Sequence, residues 1–290
     1  MTASPQELAD ALARTGYLCD DALATVSFLA LELGRPLLLE GEPGTGKTAL
    51  AEALSEALGL PLVRLQCYEG IDASQALYDW DFPRQILHLR AVESVGQGGD
   101  LAEVEQGLFS ERFLIARPVL RALRESPAVL LVDEIDRADD EFEAFLLEVL
   151  STHQVSVPEL GTVVAETPPL VVLTSNRTRE LHDALKRRCL YHWIDHPSLE
   201  RELAILRSRA PEVPERLAAQ VAALVQRLRT ADLVKEPGVA ETIDWARALH
   251  RLGARELDVE SASRTLGAAV KHREDAERIR AALDRLLAAG

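Results

Sequence analysis

The residues best equipped for chemistry are Gly41-Glu42-Pro43-Gly44-Thr45-Gly46-Lys47-Thr48, which fit the phosphate-loop pattern G-x-x-x-x-G-K-[ST]. Glycines in such a loop let backbone N–H groups turn inward around a phosphate, and the helix that follows adds the positive end of its dipole. A lysine at position 47 neutralises charge on the β- and γ-phosphates, and a hydroxyl at 48 is a ligand for Mg²⁺. With Ala49 next in the chain, these residues form a candidate site for ATP and Mg²⁺. The flanks agree. Arg35-Pro36-Leu37-Leu38-Leu39-Glu40 is a short apolar run of the kind that makes a buried parallel strand, and the residues from Thr48 to Leu54 are helix formers.

A second group lies further on. Leu130-Leu131-Val132-Asp133-Glu134 ends an apolar strand in two carboxylates. Parallel sheets hold their ligands at that end of the strands. Asp133 suits Mg²⁺, through its water, and Glu134 suits the orienting of an attacking water. Asn176 ends the next apolar run, Leu170-Val171-Val172-Leu173-Thr174-Ser175, where its amide can meet a γ-phosphate or that water. Lys186-Arg187-Arg188 follows on a short helix. One of the two arginines, Arg187 or Arg188, is a candidate to reach a neighbouring subunit's γ-phosphate, and Arg137 is another cation that can reach an interface. Tyr17-Leu18 either lines the adenine pocket or belongs to the core. His192 and His196 fall on strand and turn, roughly 13 Å apart at a strand's rise, too far to share a metal. Trp80, Trp193 and Trp245 read as packing residues.

These groups need a scaffold, and the pattern supplies one. Ser4-Pro5-Gln6-Glu7 is a capping box opening a helix to about Gly16, and a second helix runs from about 20 to 33. Strands are expected near 60–66, 128–132, 170–175 and 191–194, with helices near 117–125, 140–151 and 180–188. Residues 68–108 read as an insertion containing a strand or hairpin over Gln85-Ile86-Leu87-His88-Leu89-Arg90 and ending in the glycine-rich 96–99. A further hairpin is expected at about 153–168. After Pro197 strand patterns cease, and helices are expected near 198–209, 214–230, 240–252 and 260–287. The expected architecture is therefore α/β: a parallel-sheet αβα core over 1–196 and a small all-α domain over 197–290.

Composition narrows the class. With 290 residues, 47% hydrophobic and 27% charged, the chain suits a globular protein with a sizeable core. Its first residues lack the basic and apolar regions of a secretory leader, and no apolar stretch approaches a membrane span, so a cytoplasmic location is expected. Three scattered cysteines indicate neither a disulfide framework nor a thiolate metal site. A net charge of −15 argues against broad binding to nucleic acid or anionic membranes.

Together these elements resemble the AAA+ ATPases, with GEPGTGKT as Walker A, LLVDE as Walker B, Asn176 as sensor 1 and the arginine pair behind it. The insertion, the later hairpin and LTSNRTRELHDALKRRCLYHWIDHP resemble the MoxR family. Within it, YDWDFPRQILHLR and ETIDWARAL are most similar to the CoxD-like branch associated with carbon monoxide dehydrogenase maturation. The resemblance implies a ring, a hexamer, with a nucleotide between protomers and a helical lid moved by hydrolysis. It implies a client metalloenzyme or its precursor, and a von Willebrand A-domain partner. The chain departs from the pattern in one place: where many AAA+ lids carry a sensor 2 arginine it reads Pro237-Gly238-Val239-Ala240-Glu241-Thr242, with Arg247 two turns further on. Two other readings of the same motifs are a motor on nucleic acid and a nucleotide-gated assembly scaffold.

Overall fold

Long apolar runs with no polar alternation form the centre of the molecule. The computed structural model describes residues 3–94 and 107–288. Its main sheet has five strands: β1 (Leu37–Gly41), β2 (Leu62–Gln66), β5 (Val129–Asp133), β8 (Leu170–Ser175) and β9 (Leu190–Ile194), in the spatial order β2-β5-β8-β1-β9. β5 pairs in parallel with β2 on one side and β8 on the other. Every residue of β5 and β8 is buried, as expected of interior parallel strands covered by helices on both faces. β2 is an edge strand and alternates instead, burying Val63 and Leu65 while turning Arg64 and Gln66 outward.

The chain forms two compact units. One comprises Met1–Thr25, Glu40–Ala53 and Trp193–Gly290; the other comprises Val26–Leu39 and Leu54–His192. In the second, Val63, Leu65, Leu130, Val132, Val171 and Leu173 pack with α6 (Pro118–Arg124) and α7 (Asp140–Thr152). Two small sheets belong to it: β3 (Tyr78–Trp80) with β4 (Leu114–Ala116), and β6 (Gln154–Val157) with β7 (Gly161–Val164), both antiparallel. It also contains α2 (Asp21–Leu33, whose first residues fall in the other unit), α4 (Ala73–Leu77), α5 (Phe82–Ser94) and α8 (Asp183–Arg188).

The first unit holds α1 (Pro5–Arg14), the phosphate loop, the start of α3 (Lys47–Leu58) and the C-terminal helices. These are α9 (Leu199–Arg209), α10 (Glu215–Arg229), α11 (Val239–Arg251), α12 (Val259–Thr265) and α13 (Arg273–Ala288). Trp245 is fully buried among Val221, Leu224, Leu249 and Leu266, and its indole N–H donates to Thr265 Oγ1 at 2.8 Å. Among the described residues no helix is long and apolar enough to cross a membrane.

Two expectations about local structure are corrected. The alternating segment Gln85–Arg90 is part of helix α5, not a strand. Asp81 starts that helix by accepting the Arg84 N–H at 3.0 Å, and Pro83 sits in its first turn, where no N–H is needed. The alternation misleads because Ile86 and Leu87 are exposed and Gln85 is the buried residue. The glycine-rich residues 96–99 lie outside the described residues. The expected helix over 260–287 is two helices, α12 and α13, with a 3₁₀ turn at Leu266–Ala268 after the first.

Candidate active site

In the first unit the phosphate loop makes its own bowl. Gly44 and Gly46 have φ of +81° and +98°, so successive backbone N–H groups converge, and Leu50 N–H bonds to the Gly46 carbonyl at 3.1 Å as α3 begins. Lys47 Nζ donates to the carbonyls of Gly41 at 2.7 Å and Glu42 at 2.8 Å, and Thr45 Oγ1 donates to Glu42 at 2.9 Å. Thr48 and Ala49 are half-buried in the first turn of α3, and Pro43 is half-buried at the tip. This arrangement fits a phosphate group: backbone N–H groups, a helix start and the buried Lys47, 7% exposed as a residue. Tyr17 packs against the loop, its ring 3.7 Å from where a Cβ on Gly46 would stand. Burial, then the charges of Cys19 and Asp20, push its hydroxyl pKa up. Leu18 is half-buried beside it.

His196, just after β9, has both ring nitrogens buried without a hydrogen bond among the described residues, Nε2 lying 3.5 Å from Glu236. Burial, then the positive charge of Arg229, brings its pKa down to about 4; Glu202 and Asp195 oppose the shift and Lys47 adds to it. Arg247 binds Glu212 at 3.1 Å and the carbonyl of Arg209, on the wall of a cavity of about 590 Å³ that Arg14, Gly16 and Asp244 also line.

In the second unit strand register brings a pair of carboxylates together at the tip of β5. β2 and β5 pair Gln66 with Asp133, while β5 and β8 pair Val132 with Leu173, which sets Thr174 beside Asp133. Thr174 Oγ1 donates to Asp133 Oδ1 at 2.6 Å and accepts the Glu134 N–H at 2.9 Å. Arg64, turned outward on β2, reaches Asp133 Oδ2 at 2.5 Å, and Gln66 on the same face donates to Glu134 Oε2 at 3.1 Å. Asp133 is therefore buried and held from two strands. Glu134 is one-third exposed, stands in the left-handed region at φ 56°, and pairs with Arg137 at 3.2 Å. A non-glycine residue there is strained, by on the order of 1–2 kcal/mol. Burial, then the charges of Asp133, Asp136 and Glu134, push the nearby Cys67 thiol up to about 12.

Asn176 is half-buried at the tip of β8 and makes no hydrogen bond through its amide among the described residues. The segment after it is tied down at every step. Thr178 donates its N–H and its hydroxyl to Asp136 Oδ2 at 2.9 and 2.7 Å. Arg179 bonds the Ala138 carbonyl at 2.8 Å and pairs with the fully buried Glu143 of α7, which also accepts the His182 N–H at 2.9 Å. His182 then caps α8 through Nδ1 at 3.2 Å from the Ala184 N–H.

The two arginines at the end of α8 differ. Arg188 Nη1 donates to the Leu147 carbonyl at 2.9 Å and to Ser151 at 2.5 Å, both on α7 of its own chain. Arg187 is exposed and its side chain has no partner among the described residues. Arg35 holds the backbone beneath both, its guanidinium donating to the carbonyls of Arg187 at 2.8 Å and Arg188 at 3.1 Å.

Residues 36–189 match the AAA domain of the dynein-related subfamily. The chain belongs to that family. As an AAA protein it binds nucleotide and is an ATPase. It is 25% identical over 224 residues to an uncharacterized protein of Staphylococcus epidermidis, covering 75% of this chain and 76% of the relative. It is also 25% identical over 236 residues to an uncharacterized protein of Staphylococcus haemolyticus, covering 79% and 81%. A single-residue mutant of Thermotoga maritima RuvB shares the fold, with a TM-score of 0.50 and 16% identity over 91% of this chain and 71% of that one.

Several residues of this AAA protein escape a reading of its motifs. Thr174, Arg64 and Gln66 touch the carboxylates only through strand register, which no single segment encodes. The outward alternation of Arg64 and Gln66 on an apolar strand is the available signal for two of them. Arg35 touches α8 across a separation of about 150 residues, for which the sequence carries no local sign.

Proposed function

We propose that this AAA ATPase hydrolyses ATP with Mg²⁺ in a ring of identical subunits and uses the cycle to remodel a client protein. The observation that supports it best is the tip of β5, where Asp133 is buried and held by Arg64 and Thr174 while Glu134 is one-third exposed beside it. One carboxylate suits a metal's water shell, and the other suits a water about to attack.

In this reading the loop from Gly41 to Ala49 binds the triphosphate through its N–H groups, and Lys47 shifts from the loop carbonyls to phosphate oxygens. Thr48 and Asp133 would hold Mg²⁺, which when bound would supply positive charge beside the phosphates. Glu134 orients and deprotonates water, and Asn176 positions that water or the γ-phosphate. Tyr17 and Leu18 border the base. Arg187 serves a neighbouring subunit's nucleotide, since Arg188 is tied to its own α7. The core over 1–196 carries this chemistry, and the lid over 197–290 moves with it. The MoxR-like segments favour a client among metalloenzymes being matured, with a von Willebrand A-domain partner.

Two measurements test this. Glu134→Gln is expected to bind ATP with wild-type affinity and to turn over roughly 10²–10³-fold more slowly. Arg187→Ala alone is expected to be inactive, yet to regain turnover when mixed with Lys47→Ala subunits that supply an intact Arg187. No recovery in the mixture would remove the shared site, and unchanged turnover in Glu134→Gln would remove the water-activating role.

A further inference from the structure

The lid helix α11 meets the phosphate loop backbone to backbone. Val239 N–H, the first of the helix, donates to the Gly44 carbonyl at 2.9 Å. A Cβ on Gly238 would lie 2.7 Å from Gly44 Cα and 2.8 Å from its carbonyl oxygen, so the approach needs glycine at 238. Glu241 stands over the same contact. Its Oε2 accepts the Gly238 N–H at 3.1 Å and lies 3.1 Å from where a Cβ on Gly44 would be.

The segment is held from behind by a buried network. Glu202, fully buried, accepts from Arg229 at 2.8 and 2.7 Å, from the Thr242 hydroxyl at 2.7 Å and from Gln226 at 2.7 Å. Arg229 Nε also grips the Pro237 carbonyl at 2.8 Å. The positive charge of Arg229 is thus matched by Glu202, and that of Arg247 by Glu212. The full charge that the first turn of α11 presents to the loop is negative. It lies well within a Debye length, about 8 Å at physiological salt, of any anion that the Gly44 side of the loop could hold.

We propose that Glu241 sets the nucleotide preference of the loop by repulsion. An arginine at the start of a lid helix would attract phosphate; this carboxylate opposes it, and opposes a triphosphate more than a diphosphate because the former carries more charge. Binding of ATP displaces Glu241 from Gly238 and loosens the contact between Val239 and Gly44, whereas ADP leaves both in place. The proposal rests on the reading that the loop holds a nucleotide.

The test is calorimetric titration of the full chain with ATP and with ADP, Mg²⁺ present, in wild type, Glu241→Gln and Gly238→Ala. Glutamine keeps an oxygen for the Gly238 N–H and removes the charge. Glu241→Gln is expected to tighten ATP roughly tenfold and ADP roughly threefold. Gly238→Ala separates the backbones without altering charge and is expected to keep the wild-type ratio of the two affinities. In hydrogen exchange, the Val239 amide of wild type is expected to exchange faster with ATP than with ADP, and to lose that difference in Glu241→Gln. An ATP-to-ADP affinity ratio unchanged in Glu241→Gln would overturn the role of Glu241 while leaving the loop reading intact. A wild type that binds neither nucleotide overturns the loop reading and this one with it.

Discussion

The phosphate loop and the tip of β5 hold their charged groups by opposite means. Lys47 is fixed by carbonyls five and six residues away in its own loop, so its position travels with the local sequence. Asp133 is fixed by Arg64 and Thr174, which are 69 and 41 residues away, and Glu134 by Thr174 and Gln66. The loop takes its shape from its glycines and the start of α3, with one distant backbone contact, from Val239 of α11. The strand tip needs three strands in register. Substitutions on β2 and β8 are therefore expected to damage the tip and to spare the loop.

The largest effect is expected on the loop itself. Lys47→Ala removes the ammonium and is expected to weaken ATP binding by roughly a hundredfold or more, read by calorimetry, with little change in thermal stability. The contrast sharpens at Thr174. Thr174→Val keeps the shape but leaves Asp133 Oδ1 and the Glu134 N–H without their partner. Turnover is expected to fall roughly tenfold and stability by about 2 kcal/mol, with ATP affinity unchanged. Equal losses of affinity and turnover would erase the distinction between the two regions.

A third effect, confined to acid pH, concerns His196. His196 sits in the loop's unit and is held neutral, its pKa depressed from 6.5 to about 4. The unfolded chain therefore binds a proton that the fold refuses, and stability falls as pH drops from 6.5 toward 4, by at most about 3 kcal/mol from this group. His196→Asn is expected to flatten the fall in urea midpoint across that window while leaving it unchanged above pH 7. An identical pH profile in the variant would show that the histidine is not the group responsible.

What was legible in the sequence follows the same division. The octapeptide at 41–48 and the fully apolar strands announce themselves because each is a pattern of neighbours within a few residues, and Asp133-Glu134 because the pair ends such a strand. The parallel sheet followed for the same reason. Thr174 and Arg64 could not be found that way, since their role depends on which strands lie side by side. Arg35 beneath α8 is the extreme case. Gln85–Arg90 failed differently: its alternation is real but does not mark a buried face, and the Asp81 cap decides for helix. The C-terminal helices failed because α12 and α13 share one helical composition, although a 3₁₀ turn follows the first.

The chain of bonds from Asn176 to α8 leaves little slack. Asp136 grips Thr178, Glu143 grips Arg179 and His182, His182 caps the helix, and Arg35 clasps its far end. A shift at Asn176 has no loose joint in which to dissipate before it reaches the exposed guanidinium of Arg187. A displacement at the tip of one strand would thus travel along α8 and re-aim a surface cation.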